Sequence, residues 1–196
     1  MMGGKRVAIA FILVLLITQS YGQKFSFGSC PTVTSAAVMI DMIEGTWREY
    51  ARTPSVHTHN WQCVVYTITL VTTQVYFSLS VTGQNKITQQ SFTVTGSITP
   101  GGTVADASTS GGTFLTIQFP SYYSSKSANY YILDGTDGVF LVLYSCENVF
   151  LGKIESVIIL TSNTATPANI QTALTAVANV GYPLHALRRG YQGCIG

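Results

Sequence analysis

Charge is what this 196-residue sequence has least of: Lys, Arg, Asp and Glu make up 9% of it, against 46% hydrophobic residues. A disordered chain needs much charge and few large apolar side chains, and a coiled coil needs flanking Glu and Lys, so both are excluded. A basic tract is missing as well. Ten Lys and Arg face eight Asp and Glu, and two of the ten, Lys5 and Arg6, sit at the extreme N-terminus. Without them the count is eight against eight, so the electrostatic footprint of a nucleic-acid binder is absent. No apolar run approaches the roughly 20 residues that span a bilayer as a helix. There is no C-x-x-C pair to suggest a zinc site or a thioredoxin-like motif, and no Asn-x-Ser/Thr acceptor for glycosylation. A G-x-S-x-G elbow, H-E-x-x-H and a phosphate loop are missing too. No enzymatic activity and no metal site are expected.

What is present begins with a leader. Met1 to Arg6 is short and basic, Val7 to Ile17 is an unbroken apolar run, and Thr18 to Gly22 is small and polar. This is the pattern of a secretory signal peptide, with residues 1–22 removed and Gln23 as the mature start. Residues 23–196 then read as a single domain in an extracellular setting. Four well-separated cysteines, Cys30, Cys63, Cys146 and Cys194, fit two disulfides there, with three connectivities open.

From Thr46 to Ser162 the sequence reads as eight short strands. Tyr66, Ile68 and Leu70 alternate with Thr67 and Thr69; Val75, Phe77, Leu79 and Val81 with Tyr76, Ser78 and Ser80; Phe92, Val94 and Ile98 with Thr93, Thr95 and Ser97. Period two with hydroxyls on one side marks strands with one dry face. Leu115, Ile117 and Phe119 continue the series, whereas Tyr130–Leu133, Val139–Tyr144 and Val157–Thr161 are more uniformly apolar. Turn chemistry separates them, as in Gly83-Gln84-Asn85 and Asp134-Gly135-Thr136-Asp137-Gly138. Eight sequential strands predict an all-β, antiparallel up-and-down barrel, a closure that removes exposed sheet edges. Ile170, Ala173, Leu174 and Val177 then fall at helical spacing between Pro167 and Gly181, predicting a C-terminal helix packed outside the barrel. Ala36 to Ile43 is expected to be helical and to close one end.

Gly45-Thr46-Trp47, about fifteen residues after Cys30, resembles the G-x-W signature of the lipocalins. The stretches Tyr130-Tyr131-Ile132-Leu133 and Tyr144-Ser145-Cys146, the helix and the final Cys194 look most like the apolipoprotein D group, which includes invertebrate bilin and carotenoid carriers. The likeness covers nearly all of residues 23–196. It implies an eight-stranded barrel with one open end, and disulfides Cys30–Cys146 and Cys63–Cys194. Two departures make the chain a divergent member. The family's T-D-Y turn keeps only Thr136-Asp137, and the Arg that lies over the family Trp falls by alignment on Thr161. Arg188 and Arg189 are candidates to replace it.

The inward faces carry the functional expectation. Tyr66, Ile68, Leu70, Val75, Phe77, Leu79, Phe92, Val94, Ile98, Leu115, Ile117 and Phe119 would line the barrel with carbon and hardly any charge. Such a wall suits a small hydrophobic ligand, whose burial contributes about 25 cal/mol per Å² of apolar area. A fatty acid or other lipid, a retinoid, or a chromophore such as biliverdin or a carotenoid would fit. By alignment Ile68 replaces a polar aromatic common in the group, which implies a drier wall there. His57 and His59 lie in the link between the first two strands, at the expected mouth, where they can meet a ligand carboxylate or serve only as surface-loop residues. A lipocalin isomerase would need a free thiol; Cys63, the position nearest the wall, is expected in a disulfide. The competing reading is a secreted structural or interaction protein, a filled barrel that engages a partner through loops 101–113 and 120–129. A neutral exterior also eases self-association, so a homo-oligomer is expected as an option.

Overall fold

The computed structural model describes residues 24–33, 35–36, 40–54, 58–71, 76–101, 114–119 and 128–194. Ten strands form one sheet: β1 Lys24–Ser26, β2 Gly45–Arg52, β3 Trp61–Val71, β4 Tyr76–Asn85, β5 Ser91–Gly101, β6 Phe114–Gln118, β7 Ala128–Thr136, β8 Phe140–Val149, β9 Gly152–Thr161 and β10 Arg188–Arg189. Strands β2 to β9 each pair antiparallel with the next, and β9 pairs back onto β2 through Arg48–Thr161 and Glu49–Leu160. That last ladder closes an eight-stranded barrel. β1 extends the sheet along the start of β9, and β10 along the end of β2.

Antiparallel order fixes two ends. One, here the mouth, carries the β2–β3, β4–β5 and β8–β9 connections. The other, the floor, carries the β3–β4 and β7–β8 connections and the 3-10 turn Ile40–Ile43. That turn is the described part of the segment expected to be helical. Its Ile43 is fully buried, and the Trp47 indole donates to the Ile43 carbonyl at 3.0 Å.

Two apolar clusters share the wall. The inner one gathers the inward faces of all eight barrel strands. The outer one sets Val142, Tyr144, Val157 and Ile159 of β8 and β9 against Ala173, Val177 and Tyr182. Both faces of β8 and β9 are therefore covered, which is why their sequences lose alternation. The outer cover is helix α1, Pro167–Asn179. Thr166 caps it with a reciprocal Thr166–Asn169 box, Pro167 occupies the first turn, and Gly181 at φ +77° lets the chain turn away.

The structure pairs Cys30 with Cys146 and Cys63 with Cys194. The second bond holds the C-terminal tail against β3 at a bulge where Cys63 adopts φ +52° and its N–H donates to the Tyr191 carbonyl. Tyr182, beyond the helix, bonds Thr53 at 2.8 Å, and Thr53 in turn accepts from the Val157 N–H. Among the described residues, no helix is long and apolar enough to cross a membrane.

Candidate functional site

The barrel interior is not uniform. Toward the floor, Ile68, Phe77, Leu79, Ile98 and Leu115 pack with Trp47, Ile132, Leu143 and Leu160, while Val94 and Ile117, buried in the same cluster, lie nearer the mouth beside Val81 and Ala128. Phe77, Leu115 and Ile132 are 0% exposed, so this half is a packed core in which no water-sized space touches those rings and methyls. Toward the mouth the inward side chains keep some accessible surface: Tyr66 7%, Tyr130 9%, Ser156 7%, Ile158 8% and Arg52 6%. Half-buried Trp61, Phe92, Phe119 and Ala128 pack against the same cluster. What little interior surface the barrel leaves exposed therefore lies in the upper half, and it is more polar than the alternation in the sequence implied.

Several expected positions land differently. Leu70 has the inward phase, but it lies at the floor end of β3 and is 40% exposed, because the strand runs past the packed core there. Phe92 and Phe119 stand at the mouth rather than in the dry half. Each rests on a glycine: a Cβ at Gly83 would come within 2.7 Å of the Phe92 ring, and one at Gly96 within 3.4 Å of Phe119. Val75 and His57 lie outside the described residues, as do nearly all of loops 101–113 and 120–129. His59 is described, and its carbonyl accepts from the Arg188 guanidinium.

The expectation of hardly any interior charge is corrected by two residues of β2. Glu49 shares the inward phase of Trp47. A bulge between Glu49 and Ala51 then shifts the register, so that Arg52 also turns inward. Arg52 Nη1 donates to Glu49 Oε2 at 2.8 Å, and its side chain is 7% exposed against 2% for Glu49. The Tyr66 hydroxyl donates to the same carboxylate oxygen at 3.0 Å. Burial raises the Glu49 pKa above the usual carboxylate value, against the opposing pull of Arg52, of the Tyr66 hydrogen bond and of Arg188. Burial, and next the Glu49 charge, push the Tyr66 phenol well above its ordinary value, so it stays a neutral donor. Tyr130 and Ser156 face each other across a long 3.4 Å contact, which leaves both hydroxyls with hydrogen-bonding capacity to spare.

Above this pair lies an aromatic lid. Trp61 and Phe92 stack with ring centroids 4.2 Å apart, and the Arg52 guanidinium sits 5.6 Å from the Trp61 ring centre. Among the described residues, the other ring–cation contacts are Arg189 over Tyr50 and Lys24 over Tyr182. Arg188 and Arg189 are thus engaged with His59 and Tyr50, and Trp47 is anchored by its bond to Ile43. Position Thr161 is buried in the ladder opposite Arg48. A separate surface groove of about 510 Å³ lies outside the barrel, between α1 and β7, lined by Thr32, Asp134, Gln171 and neighbours.

No protein-family model matches the sequence, and no curated protein matches it either. Solved structures do. Lobster apocrustacyanin A1 superposes with a TM-score of 0.70 at 17% identity, over 87% of this chain and 92% of that one. Insecticyanin from the tobacco hornworm Manduca sexta gives 0.63 at 12% identity, over 85% and 87%. The bovine lipocalin allergen Bos d 2 gives 0.52 at 13% identity, over 78% and 94%. The fold is that of the lipocalins. Within that lipocalin barrel, Glu49, Arg52 and Ser156 are the polar and charged interior residues that sequence reading missed, and Tyr130 and Ile158 also lie outside the expected lining. Glu49 carried a signal, since it is two residues from Trp47 on a strand. Arg52 carried none, because only the bulge brings it inside.

Proposed function

We propose that this protein is a secreted carrier for a small hydrophobic molecule, held without covalent chemistry in the mouth half of the barrel. The observation that carries the reading is the contrast within one interior. Its floor holds rings and methyls with no exposed surface, whereas Tyr66, Tyr130, Ser156, Ile158 and Arg52, buried as they are, each keep 6–9% of theirs beneath the Trp61–Phe92 pair. A pocket with apolar and aromatic walls and a few convergent polar groups is the usual form of a small-molecule site. Lobster apocrustacyanin, an apoprotein by name, has this barrel, and the Tyr130–Leu133 and Tyr144–Cys146 likeness points to the apolipoprotein D group. Lipids, retinoids and chromophores such as a bilin or carotenoid remain the candidate ligands, and none of them needs a catalytic residue here.

Secretion rests on the leader-like residues 1–22 and agrees with two disulfides. Sequencing the exported product should give Gln23 as the first residue of a single-domain chain. The binding test is a titration of residues 23–196 with fatty acids, retinoids and biliverdin, following tryptophan fluorescence and visible absorbance. Binding tighter than about 100 micromolar, roughly 5.5 kcal/mol, is expected for at least one class. If none binds that tightly, the filled-barrel interaction protein is the better account.

A further inference from the structure

Arg52 is a described inward-facing residue with a charged donor left over. Its Nη1 is used by Glu49, its Nη2 donates to the Thr58 carbonyl, and its guanidinium carbon lies 5.6 Å from the Trp61 ring centre. Its Nε is buried and has no hydrogen-bond partner among the described residues. A buried donor without an acceptor costs about 1–3 kcal/mol, and more for a charged group, so folds leave few of them. Nε itself has no exposed surface, so an acceptor can meet it only when the Arg52 side chain, 6% exposed at the mouth, shifts as the acceptor enters.

The local charge says what the missing acceptor should be. Glu49 feels both Arg52 and Arg188, two cations against one carboxylate. One further negative charge balances the group, and a second would meet Glu49 across the Arg52 guanidinium. A charge-assisted hydrogen bond to guanidinium is also about twice as strong as a neutral one. The neighbouring aromatic surface of Trp61 and Phe92 suits an apolar skeleton attached to that charge.

Resting on the carrier reading above, we infer that the mouth selects apolar monocarboxylic acids, with Arg52 Nε donating to a carboxylate oxygen and Trp61 and Phe92 covering the adjoining skeleton. The acid head would lie next to Tyr66 and Ser156, and anion recognition would come from β2 rather than from the His57–His59 loop.

The test compares molecules that differ only at the head. Dissociation constants are measured at neutral pH for all-trans-retinoic acid against all-trans-retinol, and for lauric acid against dodecanol, on the disulfide-bonded chain from Gln23. Each acid is expected to bind at least about tenfold tighter than its alcohol. Because Arg52→Gln alone would strand a buried carboxylate, the double variant Glu49→Gln/Arg52→Gln is used, with circular dichroism checking the fold. It should lose the acid preference, the ratio of acid to alcohol affinity falling to about one whatever happens to the alcohol affinity itself. Arg52→Lys, which keeps the charge without the Nε donor, should lose most of it. Equal affinity for acid and alcohol in the parent, or an acid preference that survives either variant, overturns the assignment to Arg52 Nε and leaves the carrier reading standing. If neither member of either pair binds, the acid assignment falls, and the carrier reading then rests on the biliverdin titration alone.

Discussion

Two phenylalanines inside the same barrel should respond very differently to truncation. Phe77 lies in the floor half with no exposed surface, while Phe92 is half-buried at the mouth against Trp61 and Gly83. Phe77→Ala removes a transfer contribution of about 2 kcal/mol. It also leaves a closed cavity of roughly 100 Å³, which at about 24 cal/mol per Å³ adds a similar amount. The expected loss is about 4 kcal/mol. Phe92→Ala opens onto the mouth, so no sealed cavity forms. Half of the transfer contribution plus an aromatic pair worth about 0.5–1.5 kcal/mol gives a loss of about 1.5–2.5 kcal/mol. Urea unfolding of both variants with disulfides intact measures the difference, provided the slopes match the parent. Equal losses, or a larger one at Phe92, would refute the division of the interior into a packed floor and a reachable mouth.

Glu155 supplies a pH prediction. Burial works against its ionisation, but donors from Ser26, Lys153 and Tyr144 together outweigh that and hold its pKa below the usual value. A depressed carboxylate contributes stability that is fully present above its unfolded value near 4.5 and is lost as pH falls through the lower folded value. Glu155→Gln should therefore cost about 1–3 kcal/mol at pH 7, and the gap to the parent in melting experiments should narrow below pH 4.5 and not above it. For the disulfides, Cys63→Ser/Cys194→Ser releases a loop of 131 residues and should cost about 2–5 kcal/mol in urea; the C-terminal amides near Tyr191 should lose hydrogen-exchange protection first.

Much of this architecture is written in local pattern. Barrel strands β3 to β6 follow from alternation, since Thr and Ser at every second position face water while Ile, Phe and Leu face the core. Helix α1 announces itself through Pro167, its apolar stripe and Gly181. Loss of alternation in β8 and β9 also has a local trace, because a strand covered by α1 on one side and the core on the other needs apolar residues throughout. β1 and β10 leave none. They are three and two residues long and exist because Cys30–Cys146 and Cys63–Cys194 hold the two ends of the chain against the barrel. The site was harder to read for a related reason. An apolar inward face looks the same whether it packs solid, as at Phe77 and Ile98, or keeps a few per cent of its surface exposed, as at Ile158. Arg52, on simple alternation from Trp47, belongs outside; one extra residue in β2 reverses that, and bulges have no reliable sequence mark.

The claim that a ligand sits at the mouth and not throughout the barrel is tested most directly by methyl NMR of Ile-labelled protein saturated with all-trans-retinoic acid. The Ile158 methyl should shift and show contacts to the ligand, while the Ile98 and Ile132 methyls stay where they are in the free protein. Ligand contacts at Ile98 or Ile132 would contradict the account, because they would place the molecule in the half described here as solid core.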